Sequence, residues 1–579
     1  MELAAGFPST TRDDWRRLAA EVLRRSGAET GSPEEALAVR TYDGVTVAPL
    51  YDASDLPGDP GVPGAPPYVR GARATTGWDV RQRHAVPDPE AVLADLENGV
   101  TSLWLVVGDD AIPVGELATV LKDVYLDLAP IVLAAGERTR EAAEALFELA
   151  GDTALTGNLG ATGALPDLAR RCLSFPGLRA VLVDATPFHD AGASDAEELG
   201  CSIARGVAEL RALTAAGLSV EQALGQIDFR YAATADQFAT IAKLRAARRL
   251  WARVAEACGA ASHGGQRQHA VTSSAMMTER DPWVNMLRTT LACFAAGVGG
   301  ADAVTVQPFD AALGLPDAFS RRIARNTQSL LLEEAGIGRV IDPAGGSWYV
   351  ERRTSDLAER AWAWFQEIEA AGGADAAAGL ISERVAATRA RRDDDIAHRR
   401  FPITGVSEFP DVDEKPVRRP RGPGLPATRQ AHGFEALPVT RHAREFEALR
   451  DAADALPERP KVFLATIGPV AAHTARASFA ANLFHAGGLA TETAGPGADP
   501  EQIATAFAVS GAAVACLCST DKLYAQHAQA VAAALRKAGA RRIWLAGKGD
   551  HEGVDACLYA GCDALAVLRQ TFEDLEVPR

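Results

Sequence analysis

The chain has 579 residues, of which 47% are hydrophobic and 23% are charged, and its formal net charge is −17. This composition is typical of a globular protein long enough for several domains of about 150 residues each. The acidic balance argues against a nucleic-acid-binding protein, because such a protein needs a basic face. None of the eight cysteines forms a Cys-x-x-Cys pair, so we expect no metal site, no disulfide framework and a cytoplasmic location.

The first 45 residues are predicted to form a helical arm. Thr11 is a candidate N-cap for a helix over residues 12–40. The segment is polar and lacks the apolar core of a signal peptide. The longest mostly apolar run, residues 503–518, falls short of the ~20 residues that span a bilayer, so we expect no membrane segment. Prolines alternate with glycines over residues 51–77, which predicts an extended arm.

Residues 46–400 are predicted to form one barrel domain of the α/β class. Short β-rich runs alternate there with helical stretches. The runs predicted as strands are 102–108, 130–136, 153–160, 179–186, 226–233, 267–274, 301–309 and 339–346. Eight strands that alternate with helices predict a closed (β/α)8 TIM barrel, whose catalytic residues would lie at the carboxyl ends of the strands.

The remaining sequence predicts a linker and a second, smaller α/β domain. Residues 401–458 are assigned to the linker, because the proline-rich run 408–432 has no hydrophobic period. Residues 459–579 are predicted to be a flavodoxin-like doubly wound domain, with strands at 461–468, 489–495, 512–519, 541–548 and 563–569. Ligands of such sheets bind beyond the carboxyl ends of the strands, so the informative loops follow Gly468, Ser519 and Gly547.

Two kinds of side chain in the barrel are candidates for substrate binding. His269 is predicted to lie at the end of a strand, where a neutral imidazole could donate a hydrogen bond to a thioester carbonyl. Its position alone favours a structural histidine, and His263 is predicted to lie in a surface loop. Arg321, Arg322 and Arg325 could meet anionic phosphates, although helical arginines are more often exposed or paired with carboxylates.

The loop after Gly468 contains two histidines that could be considered as metal ligands. A ligand histidine usually needs a carboxylate or carbonyl that fixes its tautomer. The segment from Gly468, GPVAAHTARASFAANLFHAGG, contains no acidic residue. We therefore interpret His473 and His485 as helix-face residues. Cys516 and Cys518 share one face of a predicted strand and are interpreted as buried apolar residues.

Several long stretches, in one order, resemble the methylmalonyl-CoA mutase family. They are GVPGAPPYVRG, VDATPFHDAGASDAEELGCSIARGVAELRALTAAGLSV, KLRAARRLWARV, DPWVNMLRTTLACFAAGVGGADAV, LPDAFSRRIARNTQ and RVIDPAGGSWYVE. The resemblance covers nearly the whole chain. It implies a barrel followed by a cobalamin-binding-type domain, and an acyl-CoA isomerase that uses adenosylcobalamin.

The second domain departs from the pattern of the active family members. Those members carry Asp-x-His-x-x-Gly after the first strand of this domain, and its histidine coordinates cobalt. Here no aspartate lies two residues before His473, and no glycine lies three residues after it. The Gly-Gly pair of the family reads Gly547-Lys548-Gly549. The resemblance therefore implies a degenerate domain in which Gly468, His473, Ser519, Gly547 and Gly549 hold neither a cofactor nor a metal.

The barrel departs from the active members as well. No tyrosine lies between Tyr68 and Trp78, where active chains carry one. His269 matches the substrate histidine of the family, but the Gln and Gly of His-x-Gln-Thr-Ser-Gly are Val271 and Ser274. Three residues remain as vestigial candidates at the barrel mouth, and we expect none of them to be catalytic: His269, Gln307 and Arg325.

This pattern resembles the small subunits of the bacterial heterodimeric mutases in the family. It implies a non-catalytic chain paired with a homologous large subunit. The large subunit would hold adenosylcobalamin and the acyl-CoA substrate, and it would interconvert (R)-methylmalonyl-CoA and succinyl-CoA. Two alternatives remain open at this point. One is a self-sufficient acyl-CoA mutase with an altered B12 site, and the other is a regulatory or chaperone-like protein that binds a mutase.

Overall fold

The computed structural model describes residues 10–28, 31–161, 165–420, 422, 428–429 and 437–577. The first nine residues of the predicted arm lie outside the described residues, and so do residues 423–427 and 430–436 of the predicted linker. Residues 51–77 form no strand and only one short 3-10 turn, at Ala53–Asp55, which agrees with the extended arm expected there.

Eight parallel strands close into a barrel, which confirms the predicted (β/α)8 fold. They are β1 Asp79–His84, β2 Ser102–Val106, β3 Ile131–Ala134, β4 Gly157–Ala161, β5 Leu178–Asp184, β6 Ile227–Ala233, β7 Gln268–Thr272 and β8 Ala303–Thr305. Each strand pairs with the next along the chain, and β8 pairs with β1 to close the ring.

The first strand of the barrel differs from the prediction. The run 339–346 is not a strand, because Ile337–Arg339 is a 3-10 turn and the residues after it form turns. The missing strand is β1, whose sequence DVRQRH is polar. Burial alternates along it nonetheless, with Val80, Gln82 and His84 buried. A strand whose alternate side chains point into a polar barrel interior carries no apolar run that would identify it in the sequence.

The helices surround the barrel and cover the faces of the second sheet. The predicted helix over 12–40 is two helices rather than one, because the chain turns at Ser26–Gly27. Its last residues are not helical, since Val39–Arg40 pairs with Thr46–Val47 in a short antiparallel hairpin. The helices are α1 Arg12–Arg25, α2 Pro33–Leu37, α3 Pro89–Glu97, α4 Leu117–Val120, α5 Thr139–Ala150, α6 Pro166–Cys172, α7 Thr186–Asp190, α8 Asp195–Ala215, α9 Val220–Gly225, α10 Gln237–Ala257, α11 Val284–Val298, α12 Ala318–Ser329, α13 Trp348–Ala370, α14 Ala378–Ala397, α15 Arg444–Asp454, α16 Val470–Ala486, α17 Pro500–Ser510, α18 Asp521–Lys537 and α19 Ala564–Asp574.

Five parallel strands form the sheet of the second domain, as expected of a flavodoxin-like fold. They are β9 Lys461–Thr466, β10 Ala490–Thr493, β11 Val514–Cys518, β12 Arg542–Ala546 and β13 Ala556–Leu558, in the spatial order β10-β9-β11-β12-β13. The strand predicted at 563–569 is wrong, because those residues begin α19, which Asp563 caps. Cys516 and Cys518 are both buried in one core cluster, as predicted.

Candidate functional site

Two places in this architecture are suited to ligands. The first is the carboxyl end of the barrel strands, here called the barrel mouth, where the active sites of barrel enzymes lie. The second is the crevice above β9 and β11 in the second domain, because the strand order reverses there and ligands of open α/β sheets bind at such points. The candidate residues from the sequence fall near one or the other of these places.

The interior of the barrel is filled by its own side chains. The ring of Trp104 on β2 meets the ring of His269 on β7 edge to face, with the centroids 5.5 Å apart. The guanidinium of Arg230 on β6 lies 4.0 Å from the centroid of Trp104. Because β2 is not hydrogen-bonded to β6 or β7, these contacts cross the barrel interior. Together the three side chains form a cross-barrel cluster, which occupies the space around the axis.

His269 has no free hydrogen-bonding group inside this cluster. Its Nδ1 accepts a hydrogen bond from Arg230 Nε at 3.1 Å, and its Nε2 lies 2.8 Å from Thr305 Oγ1. A guanidinium can only donate, so the ring proton is on Nε2 and points to Thr305. Burial, together with the nearby charges of Arg81 and Arg230, holds the pKa of His269 well below its ordinary value of 6.5. The imidazole is therefore neutral, and both of its nitrogens are engaged within the protein.

His269 also lies lower in the barrel than the sequence suggested. It is the second residue of β7 rather than a residue at its carboxyl end. The side chain borders a cavity at the opposite, amino-terminal end of the strands, together with Asp79 and Asp302. His269 is also only the third residue of the predicted run 267–274, so that run itself already placed it near the amino-terminal start of the strand.

A cavity of about 360 Å³ lies at the barrel mouth, among the residues that follow β1, β7 and β8. Gln307 lines it, as the sequence analysis expected of a residue at the mouth. The Gln307 amide nitrogen Nε2 donates to the Thr272 carbonyl and lies 3.1 Å from Ser274 Oγ. The backbone N–H of Gln307 donates to Thr272 Oγ1 at 2.9 Å. Gln307 therefore joins the ends of β7 and β8 and forms part of the wall.

Arg325 lies away from the barrel mouth, in contrast to the interpretation from sequence. It is buried on α12, and its guanidinium forms an ion pair with Asp95 on α3. Asp95 Oδ2 also lies 3.4 Å from His84 Nε2. Arg325 thus ties two helices of the outer ring together. Helical arginines are often paired with carboxylates, and Arg325 is one of these.

The loop after β9 is closed by its own backbone. The Gly468 N–H donates to the Gly497 carbonyl at 2.6 Å, and the Gly497 N–H donates back at 3.2 Å. His473 follows on α16 and is buried, and neither ring nitrogen has a hydrogen-bond partner among the described residues. Ser519, after β11, is buried and donates through Oγ to the Ile467 carbonyl at 2.7 Å. The loop residues are therefore bonded to each other across the crevice.

Two side chains that the sequence analysis did not identify fill this crevice. Arg476 on α16 donates to the Ser519 carbonyl at 2.8 Å and to Asp521 Oδ1 at 2.6 Å. Its guanidinium also lies 5.1 Å from the ring centroid of Tyr524 on α18. A Cβ atom at Gly547 would lie 2.9 Å from Arg476 Cζ, so the arginine reaches the carboxyl end of β12 as well.

The hydroxyl of Tyr524 also lies in the crevice and contacts three backbone groups there. It accepts the Ser519 N–H at 2.8 Å, and it lies 3.0 Å and 2.8 Å from the carbonyl oxygens of Leu517 and Ala546. Leu517 is the last but one residue of β11, and Ala546 is the last residue of β12. No local sequence signal could have revealed the pair, because Arg476 and Tyr524 are 48 positions apart and meet only when the strands are assembled.

The Gly547-Lys548-Gly549 turn lies at the same edge of the sheet. The Gly547 N–H donates to the Leu558 carbonyl at 2.8 Å, and Lys548 Nζ lies 4.6 Å from the ring centroid of Tyr559. The Gly549 carbonyl accepts the Cys557 thiol at 3.2 Å. Over the described part of the chain, no three His, Cys, Asp or Glu residues are grouped so that they could hold a metal ion. No helix in those ranges is long and apolar enough to cross a membrane.

Comparison with known proteins gives one consistent result. The family model for methylmalonyl-CoA mutase matches residues 168–483. The chain is 55% identical to the methylmalonyl-CoA mutase small subunit of Streptomyces virginiae, over 100% of this chain and 98% of the relative. It is 40% identical to the small subunit of Propionibacterium freudenreichii subsp. shermanii, over 100% of this chain and 97% of the relative. A methylmalonyl-CoA mutase of Cereibacter sphaeroides is 30% identical, over 70% of this chain and 65% of the relative.

Proposed function

This chain belongs to the methylmalonyl-CoA mutase family, and on that premise we propose that it is the small, non-catalytic subunit of a two-chain mutase. Its partner would be a homologous large subunit, a pairing suggested by the names of the relatives described above. The complex would interconvert (R)-methylmalonyl-CoA and succinyl-CoA in the cytoplasm. Adenosylcobalamin, bound by the large subunit, would supply the radical chemistry.

The observation that carries this proposal is the filled crevice of the second domain. Ligands of open α/β sheets bind in the crevice beyond the carboxyl ends of the strands, so a corrin with its nucleotide tail would need that crevice to be open. Here Arg476 lies against Ser519, Asp521 and the Gly547 position, and Tyr524 bridges β11 and β12. The residues present therefore do not fit a bound cobalamin, and no step of the reaction is assigned to this domain.

The barrel supports the same proposal independently. A mutase must leave room in its barrel for the acyl group and the chain of coenzyme A. The cross-barrel cluster occupies the barrel between the mouth cavity and the cavity at the amino-terminal end of the strands, and both nitrogens of His269 are engaged by Arg230 and Thr305. Releasing His269 for a substrate carbonyl would leave the buried Arg230 Nε without its acceptor, which costs about 1–3 kcal/mol.

The test is a titration of the purified chain with hydroxocobalamin, followed by the absorption spectrum of the cobalt centre. We expect no saturable change up to a tenfold excess of the corrin. The homologous large subunit with an intact Asp-x-His-x-x-Gly loop serves as the positive control. A stoichiometric, histidine-ligated spectrum that disappears in His473→Ala would contradict the proposal and would favour a self-sufficient mutase.

A further inference from the structure

A serine and a histidine are paired at the barrel mouth, and both lie in stretches that resemble the mutase family: Ser273 is the Ser of the His-x-Gln-Thr-Ser-Gly pattern, and His189 is in VDATPFHDAGA. Ser273 follows the last residue of β7 and lines the mouth cavity. Its Oγ lies 2.6 Å from Nε2 of His189, which is on α7 after β5. The serine is 1% exposed and the histidine 8%. The Ser273 N–H donates to the Ala233 carbonyl at 2.7 Å, which fixes the backbone of the serine.

A carboxylate lies on the other side of the histidine ring. His189 Nδ1 is 3.7 Å from Glu198 Oε2 on α8. Glu198 is held in turn by the Ala232 N–H at 2.9 Å and by Lys243 Nζ at 2.8 Å. Burial raises the pKa of Glu198 to about 7. In its ionised form the facing carboxylate favours the tautomer with its proton on Nδ1, which leaves Nε2 free to accept the serine proton. A gap of 3.7 Å is longer than a hydrogen bond, but such catalytic contacts are often long until substrate binds.

The surroundings also keep the histidine in its basic form. Burial, with the charges of Lys243 and Arg392, holds the pKa of His189 well below its ordinary value of 6.5. The imidazole is therefore unprotonated at neutral pH. A serine hydroxyl that is bonded to a neutral imidazole, which in turn faces a buried carboxylate, is the arrangement that activates a nucleophile in serine hydrolases.

We propose that Ser273 is a nucleophile and His189 its general base, in a reaction that transfers a short acyl group from an ester or thioester to water. Ser273 Oγ forms a bond to the carbonyl carbon while His189 Nε2 takes the hydroxyl proton. The C–O or C–S bond then breaks, and His189 returns the proton to the leaving alcohol or thiol. Water next attacks the acyl-serine, passing its proton through His189 to Oγ, and the carboxylic acid leaves. This activity is independent of the subunit role proposed above.

The mouth cavity sets the class of substrate. Its volume of about 360 Å³ is near the lower end for ligand pockets, so it suits a short acyl group with only the first atoms of its leaving group. Val271 and Val306 form apolar parts of the wall. The backbone N–H of Ser274, which follows the nucleophile as in α/β-hydrolases, is the donor we assign to the oxyanion, because both N–H groups of Gln307 Nε2 already face the Thr272 carbonyl and Ser274 Oγ.

The experiment uses the full-length chain with a fluorophosphonate probe, which modifies only activated serines. The adduct is located by peptide mass mapping. We also expect hydrolysis of p-nitrophenyl acetate, and release of free thiol from acetyl-CoA. Wild type should carry one adduct, on Ser273, and Ser273→Ala should carry none. In His189→Gln, which retains a hydrogen-bonding side chain, the labelling rate should fall at least about a hundredfold, the usual share of a general base.

Ser202→Ala is the matched control, because Ser202 is also buried and its Oγ lies 2.9 Å from Tyr231 Oη in the helical shell. This variant should be labelled at the wild-type rate. The proposal is overturned if wild type takes up no probe, or if the adduct maps to another serine. It is also overturned if His189→Gln is labelled as fast as wild type, and that result does not depend on how well Ser273→Ala folds.

Discussion

Three buried histidines of the barrel show how the partners of a residue decide its chemistry. His269 accepts from Arg230 and faces Thr305, so both of its nitrogens are engaged. His189 has a hydroxyl on one side and a carboxylate on the other. His84 lies beside Asp95, and burial lowers its pKa to about 4. The first histidine is held inside the fold, whereas the second is arranged to move a proton.

The first prediction at this scale concerns turnover. We expect His269→Ala to leave the rate of the reconstituted two-chain mutase within a few-fold of wild type, because no interaction of the transition state is made at this residue. The rate is measured as succinyl-CoA formed from methylmalonyl-CoA with a saturating large subunit. His263→Ala is the control for the effect of removing a histidine as such, because His263 is exposed in a 3-10 turn. A loss of a hundredfold, or about 2.7 kcal/mol, would mean that this barrel takes part in the chemistry.

The same histidine should make the chain sensitive to acid. Burial and two neighbouring arginines lower the pKa of His269 in the folded state, so the unfolded chain binds more protons below about pH 6.5. This contribution to stability is present above that pH and is lost as the pH falls. One proton is worth about 1.36 kcal/mol per pH unit, or roughly 2 kcal/mol between pH 6.5 and 5.

His269→Gln removes this titration while keeping a polar side chain. We expect the free energy of unfolding in urea to change less between pH 6.5 and pH 5 in the variant than in wild type, by about 2 kcal/mol. The other buried histidines are the same in both proteins and cancel in the comparison. An identical pH dependence in the two proteins would show that His269 is protonated as easily in the folded state as in the unfolded one.

At the scale of elements, hydrophobic periodicity predicted most of the strands and failed for a strand made mainly of polar residues. Seven of the eight barrel strands overlap predicted runs. Their outward-facing residues are apolar and belong to the main core cluster, so each of these strands contains a recognisable apolar run. β1 was missed because Asp79, Arg81 and Arg83 alternate with its buried residues and leave no apolar run. Residues 563–569 are helical although their sequence also predicts a strand, because a short run such as ALAVL fits a strand and a helix equally well. Only the cap at Asp563 distinguishes them.

The candidate sites were predictable only in part, for a similar reason. The missing acid in the loop after Gly468 is a local feature and can be read from the sequence. The pairs Arg476 with Tyr524, and Ser273 with His189, are formed by residues far apart in the chain. Such contacts depend on the register of strands and helices, which periodicity does not give.

The crevice of the second domain gives a prediction for one helix. Tyr524 fastens α18 to β11 and β12 through its hydroxyl. Tyr524→Phe would leave the buried Ser519 N–H without an acceptor, so we expect a loss of about 1–3 kcal/mol and a lower thermal midpoint by near-ultraviolet circular dichroism. Tyr125→Phe is the matched control, because that tyrosine is 75% exposed. Equal midpoints for the two variants would show that the hydroxyl contributes nothing to holding the crevice closed.

At the scale of the whole molecule, buried charges join the barrel to α15, a helix of the predicted linker that packs in the same core cluster as β9 of the second domain. Glu447 on α15 is 2% exposed and accepts the backbone N–H groups of Glu279 and Arg280 at 2.6 and 3.2 Å. Arg280 also reaches Asp451 at 2.6 Å. Removing one member of such a network leaves a buried charge unpaired, which is strongly unfavourable. The two domains are therefore expected to move as one unit when a partner binds.

The N-terminal helix, by contrast, is poorly packed on its own chain. No residue of α1 is buried, and Leu18 and Val22 are 59% and 65% exposed. They lie four positions apart, on one face of the helix. The helix is held to the body by ion pairs at its start, such as Arg12 with Asp52 at 2.8 Å. An exposed apolar face on an arm that precedes the barrel is suited to a neighbouring subunit.

The last prediction concerns assembly with the large subunit. Two homologous barrels of an obligate pair should bury about 2,000 Å² or more around a pseudo-twofold axis. We expect removal of residues 1–40 to weaken the pair at least tenfold, because the apolar face of α1, with Trp15 and Leu18, would be lost. The barrel should stay folded, since its own core does not include α1.

Leu18→Asp with Val22→Asp should act like the deletion, and the exposed Arg24→Ala should have no effect. Affinity is measured by analytical ultracentrifugation of labelled subunits at nanomolar concentration. If the truncated chain still sediments one-to-one with the large subunit there, the arm is not part of what holds the two chains together.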